Sequence, residues 1–231
     1  GFLAGDLRYV DLDNDQSGPN GINQLSYGSN TVKDPGDRKI LGNQLPSLMY
    51  GINVAFDWKG FDISAFFQGT GNHYWYPAGM NISFWGPYSY PYVTTFQPRD
   101  FMRNVWSEEN PDAYFPRARG YSSTGGELKL INSRYLQNIR YLRFKNLTVG
   151  YTVPKKLTQL IHVDKVRFYF SGENLAYWSP LKKHTKYLDP ESAYRRKTDV
   201  DGNGVYKNGD ASDAAAYPWQ KTLMFGVDIT F

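Results

Sequence analysis

The chain has 231 residues, a formal net charge of +4 and an aromatic share of 17%. It contains no cysteine, which excludes disulfides and cysteine-based metal or redox sites. The charge is mild and no long basic stripe is present, so the composition argues against nucleic-acid binding. No stretch approaches the roughly 18 apolar residues that a spanning helix requires, and none is predicted.

Five segments alternate between apolar and polar residues with the period of two that is typical of a half-buried β-strand. They comprise residues 48–58, 61–68, 141–153, 165–176 and 222–231. The first two are joined by residues 57–60, where Gly60 at a turn position predicts a tight hairpin. A sixth segment, residues 3–10, fits either a strand or a loop.

The third strand changes its facing pattern near Lys145 and Asn146. Its apolar side chains occupy even positions up to Phe144 and odd positions from Leu147 onwards. One extra residue in a strand reverses the faces of all that follow, so this change predicts a β-bulge. Pro154 ends the strand because it has no backbone N–H to donate.

The connections alternate in length. Residues 11–46, 71–138 and 177–218 form long loops, whereas residues 57–60 and 154–163 are short. This alternation is typical of outer-membrane barrels, which have short periplasmic turns and long extracellular loops. We therefore expect an all-β membrane protein with the long loops outside the cell and the carboxyl terminus in the periplasm. Five or six strands are fewer than the smallest known membrane barrel, of about eight, and indicate part of a larger one.

Several segments of the chain carry recognisable motifs. They are residues 5–13 (GDLRYVDLD), 37–43 (DRKILGN), 50–53 (YGIN), 59–69 (KGFDISAFFQG), 141–154 (YLRFKNLTVGYTVP), 166–175 (VRFYFSGENL) and 219–231 (WQKTLMFGVDITF). Together they resemble the SusC/RagA family of TonB-dependent outer-membrane transporters. Their order matches the last part of the family from start to finish. The resemblance covers the strands and not the long loops.

The resemblance implies that residues 1–231 form the carboxy-terminal segment of a 22-stranded transmembrane β-barrel, with the plug domain and the TonB-contacting segment upstream. It implies TonB-dependent import of glycan oligosaccharides, or of peptides in some members, together with a SusD-like surface lipoprotein. Gly226, Ile229 and Phe231 fit the terminal assembly signal of such barrels. Met224 departs from the signal, since a polar residue is usual there, and Ile229 stands where an aromatic residue is common.

Residues 199–210 resemble a calcium-binding loop. Asp199, Asp201, Asn203 and Asp210 place oxygen ligands at positions one, three, five and twelve, and Gly204 stands at position six. Alternate oxygen side chains with a glycine at the sharp turn suit Ca²⁺. A solvated loop without metal is the alternative.

A second acidic segment begins with Asp11, Asp13 and Asp15. It has the same alternation but lacks the glycine at the sixth position. A later acidic residue, such as Asp34 or Asp37, could complete a calcium site here.

Residues 73–77 and 84–92 are the densest aromatic run of the chain. The candidate substrate-binding residues are Tyr74, Trp75, Tyr76, Trp85, Tyr88 and Tyr90. Exposed rings stack on the apolar faces of sugars, and the prolines and glycines of the run limit the entropy lost on binding. The alternative is that the rings pack within the loop or lie at the membrane interface.

No arrangement of residues predicts an enzyme. The three histidines, His73, His162 and His184, are scattered, and no nucleophile or phosphate-binding motif is present. A secreted, carbohydrate-binding β-sandwich remains the alternative to a barrel. The two differ in the environment of Val166, Phe168, Phe170, Phe225, Val227 and Ile229. These side chains stay exposed towards lipid in a barrel and are buried against a second sheet in a sandwich.

Overall fold

A computed structural model describes residues 3–14, 25–93, 97, 100–185, 188–193 and 219–231. The chain divides into two units. We call Gly1–Gly42 with Ala78–Tyr135 the loop unit, and Asn43–Pro77 with Leu136–Phe231 the sheet unit. The predicted calcium loop at residues 199–210 lies outside the described residues, as does Asp15.

The sheet unit contains all seven strands of the described residues. They are β1 (Met49–Trp58), β2 (Phe61–Thr70), β3 (Tyr74–Trp75), β4 (Gln137–Asn138), β5 (Tyr141–Thr152), β6 (Lys165–Trp178) and β7 (Thr222–Thr230). The short helices are α1 (Ile82–Trp85), α2 (Lys155–Thr158) and α3 (Pro190–Ala193), and 3₁₀ turns span Gly86–Tyr88, Met102–Asn104, Glu127–Lys129, Gln159–Ile161 and Pro180–Lys183. Among these described elements, no helix has the length and apolar character needed to cross a membrane.

The five predicted strands form one antiparallel sheet in the order β1-β2-β5-β6-β7. The segment 3–10 contains no strand and is a loop. Strands β3 and β4 form a separate ladder of two residue pairs, which is too short to leave an alternating pattern in the sequence.

The turn between β1 and β2 is the predicted tight hairpin. Trp58 pairs with Phe61, and the two residues between them, Lys59 and Gly60, have φ angles of 48° and 90°. Two positive φ angles define a type I′ turn, whose twist matches that of the flanking strands. Glycine adopts this conformation without a steric penalty, which explains its place in the turn.

The predicted β-bulge is confirmed. Phe66 pairs with Asn146 and Phe67 with Phe144, so Lys145 is the extra residue of β5. Strand β6 has a second bulge, because its pairing with β5 shifts between Glu173 and Ala176. The sequence did not predict this one, since apolar residues there occupy both odd and even positions.

One face of the five-stranded sheet is apolar and exposed. A row of paired residues crosses all five strands: Trp58, Phe61, Tyr151, Phe168 and Val227. The next row ends at Phe225, of which 82% is exposed. Val166 and Phe170 are half-buried. A sandwich would bury this face against a second sheet, so its exposure contradicts the β-sandwich alternative.

Candidate ligand-binding surfaces

The opposite face of the sheet carries a charged network. The Arg167 guanidinium on β6 donates to both carboxylate oxygens of Asp62 on β2, at 2.9 and 2.5 Å, and to Asp228 on β7 at 3.1 Å. The three side chains lie on β2, β6 and β7, and β5 lies between β2 and β6. The network therefore connects four adjacent strands of the sheet.

The network requires a glycine at position 150 of β5, the strand between β2 and β6. A Cβ atom at Gly150 would lie 2.4 Å from Asp62 Oδ1 and 2.6 Å from Arg167 Nε. Gly226 has a similar role on β7, because the ring of Tyr169 occupies the space where its Cβ would stand. Glycine therefore lets long polar side chains lie flat across this face.

A second charged cluster lies near the start of β5. Arg143 is 2% exposed and donates to both carboxylate oxygens of Asp189, at 2.6 and 2.5 Å. Glu191 lies 3.2 Å from Arg143 and 3.3 Å from Lys145. A buried guanidinium requires such pairing, so the cluster fixes the α3 segment against the sheet. Asp189 also accepts a bond from the Glu191 backbone N–H at 2.9 Å.

This cluster forms one wall of a cleft of about 1170 Å³ in the sheet unit. Its lining also includes residues from the end of β2, the end of β6 and the segment before β7, among them Tyr177 and Trp219. Sequence reasoning did not identify this cleft. One feature of the sequence could have indicated it: Arg143 is a charged residue near the start of β5, shortly after a long loop.

Trp85 and Tyr88 lie in an aromatic cluster inside the loop unit. Both are almost fully buried. The Trp85 ring lies 4.8 Å from Phe84 and 5.3 Å from Tyr135 between centroids, and the Tyr88 ring lies 5.6 Å from Phe115. Burial raises the pKa of the Tyr88 phenol, which donates a hydrogen bond to the Pro116 carbonyl. This placement matches the packing alternative, since a buried ring has no face for a ligand.

The other four aromatic candidates retain partial exposure. Tyr74 and Trp75 form β3, and Tyr76 follows it; all three are half-buried. Tyr90 is half-buried in the loop unit, with its ring centroid 5.7 Å from that of Tyr92. Substrate contact by these residues stays a prediction.

The structure brings Asp37 to Asp11 and Asp13. One carboxylate oxygen of each lies within 4.8 Å of the others, and Oδ2 of Asp11 is buried without a hydrogen-bond partner. Backbone N–H groups of Ser26 and Leu12 donate to Asp37 and lower its pKa. The carboxylate donor set therefore fits a Ca²⁺ ion.

Asp34, the other acidic residue considered for this site, is engaged elsewhere. It accepts hydrogen bonds from the backbone N–H and the hydroxyl of Ser29. These bonds lower the pKa of Asp34.

The terminal residues occupy both faces of β7. Ile229 and Phe231 are exposed, and Ile229 continues the apolar face by pairing with Val166. Met224 lies opposite Ser171 on the polar face. The assembly signal stays a prediction.

Two curated proteins of Formosa agariphila are similar to the chain in sequence. TonB-dependent receptor P26 is 27% identical over 195 residues, and TonB-dependent receptor P3 is 29% identical over 195 residues. Each match covers 84% of this chain, which spans only 18% and 17% of the length of the two relatives. No protein-family model matches the chain.

Solved structures of the RagAB peptide importer are similar in fold. The open-open state matches with a TM-score of 0.54 and the closed-closed state with 0.55, each at 22% identity. Each match covers 84% of this chain and 18% of the solved chain. The chain thus has a fold similar to that of part of the solved RagAB chain, and the resemblance to TonB-dependent receptors is confirmed by the two curated relatives.

Proposed function

We propose that the chain is part of a bacterial outer-membrane transporter that imports oligosaccharides in a TonB-dependent manner. The observation that carries this proposal is the five-stranded antiparallel sheet, which has one exposed apolar face and one charged face. Hydrocarbon solvates apolar side chains, whereas a barrel interior solvates polar ones. The likeness to TonB-dependent receptors supports the same conclusion.

The proposed orientation follows from the two ends of the sheet. The hairpin at Lys59 and the connection through α2 are short and lie at one end, which we assign to the periplasm with the carboxyl terminus. The long connections leave the other end, which we assign to the cell exterior. In this arrangement β1 and β7 are the outer strands of the described sheet, and the remaining strands of a 22-stranded barrel pair with them.

Oligosaccharide is the proposed cargo because the cell-exterior end is rich in aromatic side chains. Tyr177 and Trp219 line the cleft, and Tyr74, Trp75 and Tyr76 follow β2. Aromatic rings give carbohydrate sites their apolar contact area.

We further propose that a SusD-like surface lipoprotein binds the outer loops and that energy for transport is supplied through TonB. We also propose that the cargo crosses without any chemical change.

Peptide import is the second candidate. The observation that favours it is the similarity of the fold to the RagAB peptide importer. Both cargoes fit the same barrel architecture, so uptake has to distinguish them.

Uptake by a strain that lacks the intact protein tests the proposal. We expect the deletion strain to lose growth on, and uptake of, at least one oligosaccharide of a fluorescent panel while it keeps peptide uptake. Disrupting TonB in the parent strain should abolish the same uptake. Loss of peptide uptake alone would favour the second candidate, and unchanged uptake of both cargo classes would refute both.

We also propose that Asp11, Asp13 and Asp37 bind Ca²⁺ in the loop unit. The buried, unpartnered Oδ2 of Asp11 supports this assignment. The ion would hold the acidic segment to the turn that contains Asp37, because each residue contributes an oxygen ligand.

A further inference from the structure

The lining of the cleft in the sheet unit has an excess of positive charge. Arg140, Lys182 and Lys221 line it, and in the described part of the chain none of them has a carboxylate within ion-pair distance. Arg143 also lines the cleft, but Asp189 and Glu191 balance its charge. Uncompensated cations around a cleft attract and bind anions.

The side chain of Lys182 is held in place by contacts with Tyr177. The Lys182 ammonium lies 3.6 Å from the centroid of the Tyr177 ring and donates to the Tyr177 carbonyl at 2.7 Å. Because the flexible lysine is already ordered, an anion that binds it pays little additional entropy.

Trp219 supplies a fixed ring on the same cleft. Its ring centroid lies 4.4 Å from the Lys145 ammonium and 5.7 Å from the Arg143 guanidinium. Cation–π contacts of this kind hold the ring. The residue is nevertheless 53% exposed, so it presents an apolar surface to the cleft.

We propose that this cleft binds an anionic sugar residue, one that carries a carboxylate or a sulfate group. Trp219 stacks on the apolar face of the sugar, while Lys182 and Lys221 bind the anionic group and Arg140 adds to the positive field. The inference rests on the proposed oligosaccharide import and narrows its substrate class. The combination of an aromatic surface with nearby cations favours a charged sugar over an acidic peptide, which needs only the cations.

Binding to the intact, detergent-solubilised transporter tests the inference. The probes are a galacturonate hexamer, a sulfated carrageenan hexasaccharide, neutral cellohexaose and hexaglutamate, measured by calorimetry and tryptophan fluorescence. We expect at least one anionic oligosaccharide to bind about tenfold or more tightly than cellohexaose, and its affinity to fall as the salt concentration rises, because salt screens the cations.

Variants then assign the binding to the cleft. Replacing both lysines (Lys182→Ala with Lys221→Ala) should weaken binding of the anionic oligosaccharide about tenfold, and Trp219→Ala should weaken it by a similar factor. Lys156→Ala in α2 and Trp58→Ala at the hairpin are matched controls. Both residues are exposed and lie at the other end of the sheet, so affinity should not change.

The outcomes separate this inference from the proposed function. Cellohexaose binding as tightly as the anionic sugars would overturn the inference and leave oligosaccharide import intact. Tighter binding of hexaglutamate than of either anionic sugar would assign the cleft to acidic peptides instead. Full affinity in the lysine and tryptophan variants would place the anionic site elsewhere. Failure to bind any oligosaccharide, together with unchanged uptake in the deletion strain, would overturn both.

Discussion

The sheet unit and the loop unit use aromatic side chains in opposite ways. In the sheet unit, rings such as Phe168 and Phe225 project from one face and remain exposed. In the loop unit, Trp85, Tyr88 and Tyr135 are buried around the ring of Phe115. The sheet unit therefore requires an apolar surrounding to bury its large rings, whereas the loop unit buries its own in an internal core. A high aromatic content thus has two separate causes in one chain.

Truncating the loop-unit core should have the largest effect. Trp85→Ala removes a fully buried ring, and we expect it to lower the local free energy of unfolding by about 3–5 kcal/mol. Hydrogen exchange of the loop unit in the intact protein measures this change. Trp58→Ala, at an exposed position of the sheet, is the control, and similar exchange in both variants would contradict the comparison.

Charge substitutions on β7 test the two faces of the sheet. Phe225→Lys places a charge on the apolar face, which faces lipid in the proposed barrel, and we expect it to lower the free energy of unfolding by up to about 2–4 kcal/mol, the cost of a lysine at a bilayer midplane. Met224→Lys, one residue earlier, places it on the polar face opposite Ser171 and should have little effect. Abundance in the outer membrane and urea unfolding from vesicles measure the difference. Equal losses at the two positions would refute the assignment of the faces.

Removing the guanidinium on the polar face should have an intermediate effect. Arg167→Met leaves the carboxylates of Asp62 and Asp228 without their partner and should cost about 1–2 kcal/mol in urea unfolding. Lys156→Met, at an exposed position of α2, is the control and should be nearly neutral. The double variant with Asp62→Asn should be less destabilised than the sum of the single variants, and strict additivity would show that the two side chains do not interact.

The smallest expected effect concerns the acidic cluster of the loop unit. With Asp11→Asn and Asp13→Asn together, we expect calcium to lose its stabilising effect on thermal unfolding, because a ligand stabilises only the state that binds it. The wild-type protein should melt at a higher temperature in calcium than in chelator. A melting temperature that is independent of calcium in the wild type would dismiss the site. Asp112→Asn, an exposed acid of the same unit, is the control.

The sequence by itself determined the local features of this protein. Five strands, the hairpin at Gly60, the bulge at Lys145 and the two faces of β7 follow from a period of two and from turn chemistry, which neighbouring residues specify. The same local patterns carried the family resemblance. The second bulge in β6 was missed because its apolar residues have no consistent parity.

Only the tertiary structure decided which distant residues meet. It placed Arg167 beside Asp62 across Gly150, added Asp37 to Asp11 and Asp13, and buried Trp85. It also joined Arg143 to the α3 segment and so formed the cleft. Pairing between residues far apart in the chain depends on strand register and on the path of the loops. These follow from the packing of the whole fold, because no short stretch of sequence encodes the distance between two strands.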